Sequence, residues 1–281
     1  MIPKIIHYCW IGGAPLPPLA EECIASWKKH MPEWEMKAWT EASLSQALSP
    51  LKGGEGCWLD YMPLYVKQAY EARKFAFVSD YVRLWALEQY GGLYMDVDFM
   101  VFRPFDDLMD KYPAFAGYEG SKRKPVMQGV IASEAHGAWV RDMLSTYETR
   151  TFYKSPLTGN PSPVTLEYDL TPNTSYFSDR LEAQGFVADG TEKDFYVKSI
   201  SNFKFQISNL EEPTFFLHVF PVHYFCPVLT TGEDVRTEET YCEHKGESSW
   251  ATNNGWKAKL LKLLEPQWKT RIIKLKRRIL G

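Results

Sequence analysis

Residues 4–10, KIIHYCW, form a short apolar run closed by Ile11-Gly12-Gly13 and by Pro15, Pro17 and Pro18. That pattern predicts a strand followed by a loop. Residues 19–30 carry apolar positions at helical spacing, and 35–39 reads as a second strand. After the glycine-rich stretch 52–56, residues 64–71 and 79–90 read as helices, the second with Ser79 at the N-cap position and Gly91-Gly92 as its stop. Leu93, Tyr94 and Met95 then form a short apolar strand that runs into Asp96-Val97-Asp98. From residue 151 onward Pro, Asn, Ser and Thr thicken, which predicts a loop-rich second half with isolated strands such as 215–220 and with Asn173-Thr174-Ser175 as a polar loop. No internal repeat or low-complexity tract interrupts the chain. The alternation of strand and helix in the first half is that of an α/β sheet of Rossmann-like character, and a loop-rich second half commonly builds the acceptor side of a cleft.

Side chains alternate along a strand, so Asp96 and Asp98 are expected on one side, at the carboxyl end of a buried strand. Ligands of open α/β sheets bind at that end. Two like charges converging there repel unless a cation or a donor-rich ligand lies between them. Hard oxygen ligands suit Mg²⁺ or Mn²⁺, which takes one or two carboxylates together with the phosphates of a substrate. A metal-bound diphosphate is therefore the functional reading, with a nucleotide sugar as its commonest form. The alternative is a surface turn with solvated acids, since about one Asp-x-Asp is expected by chance in a chain of this length.

Asp80 and Arg83 lie three apart on the helix that precedes this strand, among apolar Val82, Leu84, Trp85 and Leu87, so both face the same way. Charges on so apolar a helix are costly unless paired or bound. They suit a carboxylate and a guanidinium that clamp sugar hydroxyls and phosphate oxygens, and equally an ordinary intrahelical ion pair. Trp10, beside the Gly-Gly loop, is placed either to stack on a nucleobase or to pack in the core.

Composition narrows the class. The 281 residues are 45% hydrophobic and 15% aromatic, enough for one large core. The expected organisation is a catalytic domain over 1–255 and a separate segment over 256–281. A net charge of −3 and the lack of a basic patch with interleaved aromatics in the body argue against a nucleic-acid binder. Five scattered cysteines without a C-x-x-C pair favour reduced thiols over disulfides or structural zinc. The opening residues lack the long apolar stretch of a signal peptide, and no run of 18 apolar residues occurs elsewhere. A cytoplasmic protein is expected. Segment 256–281 departs from the rest: it holds nine of the 32 basic residues and one of the 35 acids. There Trp268, Ile272, Leu275 and Ile279 fall at helical spacing beyond Pro266. This is the pattern of a basic amphipathic helix lying on an anionic membrane, with each base contributing about 1 kcal/mol near the surface, or of a helix packed on the body with a solvated basic face. In the first reading the enzyme sits peripherally on the inner face of the cytoplasmic membrane.

Three stretches, IPKIIHYCWIGG at the start, FVSDYVRLWALEQYGGLYMDVDF over 77–99 and TYCEHKGESSW over 240–250, together resemble the sugar-binding DXD-motif glycosyltransferases of family 32, which includes capsular polysaccharide enzymes and α-mannosyltransferases. The resemblance implies a GT-A fold, a mixed sheet flanked by helices, with Mn²⁺ or Mg²⁺, a nucleotide-sugar donor and retention of anomeric configuration. It places Trp10 on the donor base, and Ser79, Asp80 and Arg83 around the donor ribose and sugar. It puts Asp96 on donor hydroxyls close to the metal and Asp98 on the metal itself. In the late stretch it implies His244, Ser249 and Trp250 over the metal and diphosphate, with His244 as a metal ligand. The family commonly has a second His and an aromatic where this chain has Lys245 and Gly246. Gln128, after the basic loop 121–124, is a further candidate contact with donor or acceptor sugar. The expected acceptor is a glycan or lipid-linked oligosaccharide of surface-polysaccharide synthesis, and the favoured donor is a UDP-sugar, with GDP-mannose as the alternative. Rival readings are a non-catalytic nucleotide-sugar or carbohydrate binder, a membrane scaffold resting on the basic segment, and a haloacid-dehalogenase-type phosphatase. That phosphatase pattern wants Thr or Val where this chain has Met100.

Overall fold

In a computed structural model, residues 1–48, 57–120, 126, 128–154, 167–197, 200–201, 206–207 and 214–246 are described. The predicted helix over 256–281, the basic loop 121–124, Ser249 and Trp250 lie outside the described residues.

The first half builds β1 (Ile5–Cys9), α1 (Pro18–His30), β2 (Glu35–Trp39), α2 (Glu41–Leu48), α3 (Leu64–Glu71), α4 (Phe75–Tyr90) and β3 (Gly92–Met95). β4 (Phe99–Val101), α5 (Asp106–Lys111), β5 (Ala114–Gly117), β6 (Val130–Ser133) and α6 (Ala138–Ser145) follow. The remainder holds α7 (Asn173–Ala183), β7 (Lys193–Val197), β8 (Ile200–Ser201), β9 (Gln206–Ile207), β10 (Thr214–Phe220), α8 (Val222–Phe225) and β11 (Cys242–His244). Among the described residues one seven-stranded sheet runs in the order β2-β1-β3-β6-β5-β10-β7. β1 is parallel to β2 and β3, and β10 to β5, while β6 is antiparallel to β3 and β5, and β7 to β10. The expected mixed α/β sheet flanked by helices is the architecture observed. The parallel strands β1, β3 and β5 consequently end on one edge, where the loops that follow them converge.

Local sequence explains the main elements. In α1 the buried set Ala20, Cys23, Ile24 and Trp27 has helical spacing. From that face Trp27 donates its indole N–H to the Phe99 carbonyl at 2.7 Å, and Ser26 Oγ accepts from the Val101 N–H at 2.9 Å, so α1 fixes β4. Helix α4 is buried on nearly every side, because it packs on β1 and β3 while also meeting α3 and α6. Gly91 and Gly92 end it at φ +64° and +114°. A Cβ at Gly92 would come within 2.6 Å of the Ile5 carbonyl, so the tight entry into β3 needs glycine.

Three expectations are corrected. Helix α4 begins at Phe75, one turn before Ser79, because Phe77 and Val78 have core to pack against. Ser79 therefore donates to the Ala76 carbonyl at 2.6 Å inside the helix and caps nothing. Asp96 and Asp98 lie past the strand, in a turn between β3 and β4, so the period of two that predicted a common side does not apply to them. Asn173-Thr174-Ser175 is the first turn of α7 and no loop; Pro172 precedes it and Phe177 and Leu181 are buried on its inner face. Among the described residues no helix is long and apolar enough to cross a membrane.

His7 joins β1, β2 and the α4–β3 junction. Trp39 is a donor only, so His7 Nδ1 accepts from its indole at 3.1 Å, and His7 Nε2 must carry the proton that goes to the Gly91 carbonyl at 2.8 Å. Burial pushes this imidazole down to about 4. The folded state thus holds His7 neutral where the unfolded chain, at about 6.5, takes up a proton. Stability from this group is whole above pH 6.5 and is lost as pH falls toward 4, by on the order of 3 kcal/mol. In urea unfolding at about pH 7 and about pH 4, His7→Gln, which keeps a donor and an acceptor without a titrating ring, is expected to lose less stability than the parent. Equal losses would remove His7 from the pH dependence.

Candidate active site

Helix α4 and strand β3 deliver three charged side chains to one point. Arg83 is 6% exposed. Its Nη2 lies 3.0 Å from Asp80 Oδ1 and 3.3 Å from Asp96 Oδ1, while Nη1 donates to the Gln128 carbonyl at 2.6 Å and Nε to the Ser79 carbonyl at 3.3 Å. The guanidinium carbon sits 4.7 Å above the Tyr94 ring, and the Tyr94 hydroxyl donates to Asp96 Oδ1 at 2.8 Å. Asp96 is tied into the sheet through its own N–H, which donates to the Gly129 carbonyl at 2.8 Å. A Cβ at Gly129 would stand 3.1 Å from Asp96 Oδ2 and 2.7 Å from the Phe99 ring, so glycine leaves room for that carboxylate.

The second carboxylate is placed by another strand pair. β11 runs antiparallel to β4 with His244 opposite Phe99. The two rings stack at 4.6 Å, His244 Nε2 approaches Asp98 Oδ2 at 3.1 Å, and the Lys245 N–H donates to the Asp98 carbonyl at 2.8 Å. Residues 146 positions apart in sequence thereby share one hydrogen bond.

Electrostatics follow from crowding acids in a half-dry place. Burial pushes Asp80 up to about 6 against the pull of Arg83, with Asp96 adding to the rise. Asp96 is raised by burial and by Asp98, again against Arg83. Burial would lower Arg83, and Asp96, Tyr94 and Asp80 more than reverse it, so the guanidinium stays charged. Burial lowers His244 too, but the Asp98 hydrogen bond and charge, with Glu119 and Asp96, raise it overall. Glu119, just past the end of β5, is pushed up to about 7 by burial; it feels His244, Asp96, Arg83 and Asp98. Each acid here makes its neighbours harder to ionise, which is the condition a divalent cation relieves. The donor set fits such an ion: Asp98 and His244 offer one oxygen and one nitrogen already adjacent. No group of three or more His, Cys, Asp or Glu that could hold a metal occurs among the described residues.

Of the residues singled out from sequence, Asp80, Arg83, Asp96, Asp98, His244 and the Gln128 backbone meet here. Asp80 and Arg83 form the intrahelical ion pair, and Arg83 also reaches Asp96. Ser79 takes part through its carbonyl. Trp10, half-buried, follows β1 and donates its indole N–H to the Ala14 carbonyl at 2.5 Å. Sequence reading missed Tyr94, hidden in an apolar run, and Glu119. The rule that picked out Asp96, an acid just past an apolar strand, would have found Glu119 after AFAG.

Residues 17–115 match the family model described as glycosyltransferase sugar-binding region containing DXD motif. Glucan organizing enzyme 1 of Cryptococcus neoformans var. grubii is 34% identical over 85 residues, 27% of this chain and 23% of its own. Inositol phosphoceramide mannosyltransferase 1 of Schizosaccharomyces pombe is 27% identical over 113 residues, 39% of this chain and 32% of its own. The aligned part is thus a third or less of the length of these relatives. Among solved structures, the PaToxG glycosyltransferase aligns over 51% of this chain and 59% of its own, with 20% identity and a TM-score of 0.40.

Removing the guanidinium would leave two acids buried without counter-charge. Arg83→Met is expected to cost about 3–5 kcal/mol at neutral pH. The loss should shrink as pH falls from about 7 toward about 5, because Asp80, already raised by burial to about 6 with Arg83 beside it, takes up a proton more readily once that counter-charge is gone. Urea unfolding of the variant and parent at about pH 7 and about pH 5 measures both effects; a loss independent of pH would mean that packing, and not charge, is what Arg83 supplies.

Proposed function

We propose that this chain, whose residues 17–115 carry the DXD-containing sugar-binding region of glycosyltransferases, moves a hexosyl group from a nucleotide sugar to a sugar hydroxyl with retention of configuration. The observation that carries the reading is the joint placement of the Arg83–Asp80–Asp96 cluster and the Asp98–His244 pair at the carboxyl edge of the parallel strands. A membrane scaffold needs no such coupling of a guanidinium with two acids beside a third acid paired with an imidazole, and turnover is what separates the transferase from a passive binder.

In this mechanism Asp98 and His244 would hold Mn²⁺ or Mg²⁺, which would supply positive charge to offset that of the leaving diphosphate. Arg83, kept charged by its neighbours, fixes Asp96 and Asp80, whose remaining lone pairs accept hydrogen bonds from donor hydroxyls. Phe99 stacks on His244 and so fixes the orientation of its ring. Trp10 offers its face to the nucleobase; Ser249 and Trp250, which the resemblance implies over the diphosphate, lie outside the described residues. Retention rests on the resemblance to the family 32 enzymes, with the acceptor hydroxyl attacking from the face the diphosphate leaves.

A UDP-sugar is the favoured donor. GDP-mannose is the second reading, because one relative is named a mannosyltransferase. The acceptor is a glycan or lipid-linked oligosaccharide of capsular or surface polysaccharide, and the basic segment 256–281 would hold the protein on the anionic inner face of the cytoplasmic membrane.

The test is Mn²⁺-dependent release of UDP or GDP from a panel of UDP-hexoses and GDP-mannose. Release from one donor is expected, with Asp98→Ala lowering it roughly a hundredfold or more, the scale of losing a key group that stabilises transition-state charge, and with chelator abolishing it. If no donor is turned over and neither UDP nor GDP with Mn²⁺ raises thermal stability, the transferase reading fails and a non-catalytic role replaces it.

A further inference from the structure

The Arg83 cluster continues beyond the Gln128 backbone. The Gln128 side chain, in a residue 2% exposed, accepts from the Asn173 amide, whose own oxygen accepts from the Tyr147 hydroxyl at 3.1 Å. These three side chains line a cavity of about 270 Å³ among α4, α6 and α7. Tyr176 and Phe177 add aromatic faces to its wall. Two of the rings are braced from behind: the Arg150 guanidinium carbon lies 4.6 Å from the Tyr147 ring centre and 3.8 Å from that of Tyr176.

The chemistry of the lining selects its ligand. The backbone oxygen of Gln128 accepts from Arg83 and its side-chain oxygen from the Asn173 amide, which fixes this nearly inaccessible residue at the cavity wall. Of the two charged lining residues, Arg180 is paired with fully buried Asp142, at 2.9 Å and 2.6 Å, and Asp179 is an acid, so the lining offers an anionic ligand no unpaired cation. Amide and hydroxyl groups and a carboxylate beside aromatic faces match the hydroxyls and the C–H face of a pyranose ring.

We infer that the cavity bounded by Gln128, Asn173, Tyr147 and Tyr176 is a hexosyl subsite that sets which sugar the protein handles. The inference rests on the glycosyltransferase reading. Apart from Leu84, its lining lies outside residues 17–115, the segment matched to the sugar-binding region. The donor's transferred sugar and the acceptor's terminal sugar share this chemistry.

Two variants of the full chain test it. Thr146→Trp fills the cavity from a half-buried position whose hydroxyl bonds only to the Met143 carbonyl. Asn173→Ala removes the amide between Gln128 and Tyr147. Each is assayed for stabilisation by UDP and GDP with Mn²⁺, for hydrolysis of UDP-hexoses and GDP-mannose by water, and for transfer to methyl hexosides. Expected is the parent's stabilisation by nucleoside diphosphate together with a fall of roughly tenfold or more in kcat/KM, the scale of losing one sugar contact. A fall already present in hydrolysis assigns the cavity to the donor's sugar; a fall confined to transfer assigns it to the acceptor's. Unchanged kcat/KM in both variants and both reactions overturns the subsite and leaves the transferase reading standing. A parent that binds no nucleoside diphosphate and turns over no donor overturns that reading and the subsite with it.

Discussion

A buried guanidinium organises this site. Arg83 reaches from the middle of α4 to an acid on its own helix, to an acid beyond β3 and to a carbonyl in the loop before β6. Three segments separated in sequence are thereby registered by one planar group, which a flexible ammonium would do less well. Burying such a cation is costly, and the cost is met only while Asp80 and Asp96 stay near it. The same geometry leaves those carboxylates positioned, partly desolvated and strained against each other electrostatically. A site with this balance resists collapse in its free form and responds strongly to any ligand that brings charge or hydroxyl groups.

The half that holds Asp98 and His244 is built on different terms. Asp98 lies in a turn, a flexible kind of backbone, and gains its fixed position from the β4–β11 pair. That pair is anchored by α1, whose Trp27 and Ser26 bond to the β4 backbone from a buried helix face. The reach from α1 through β4 to His244 means that the late stretch of the chain completes a centre begun by the first half. A chain lacking 240–246 would keep the acids paired with Arg83 and lose the imidazole that pairs with Asp98.

The part of the molecule beyond residue 115 contributes in a third way. Helix α7 and the turn after α6 bring Asn173, Tyr147 and Tyr176 to the back of Gln128, so that the loop touched by Arg83 on one side meets an aromatic wall on the other. Asn173 at the start of α7 and Tyr147 after α6 thus lie within two hydrogen-bonded residues of the Gln128 carbonyl that Arg83 holds.

The sequence by itself determined the local and the repetitive. Apolar spacing marked β1, α1, β2, α3, β3 and the body of α4, because periods of two and 3.6 are properties of neighbouring residues. It also marked Asp80, Arg83, Asp96 and Asp98, whose charges stand out against apolar surroundings. Boundaries set by burial were decided in three dimensions: the extra turn of α4 exists because Phe77 and Val78 meet core, and α7 begins where a polar triplet suggested a loop because Phe177 and Leu181 find a wall. Only the tertiary structure placed Tyr94 under Arg83, His244 against Asp98 and Glu119 beside both. These contacts join residues up to 146 positions apart, and sequence spacing carries no information on a meeting that depends on which strands pair and which helices cover them.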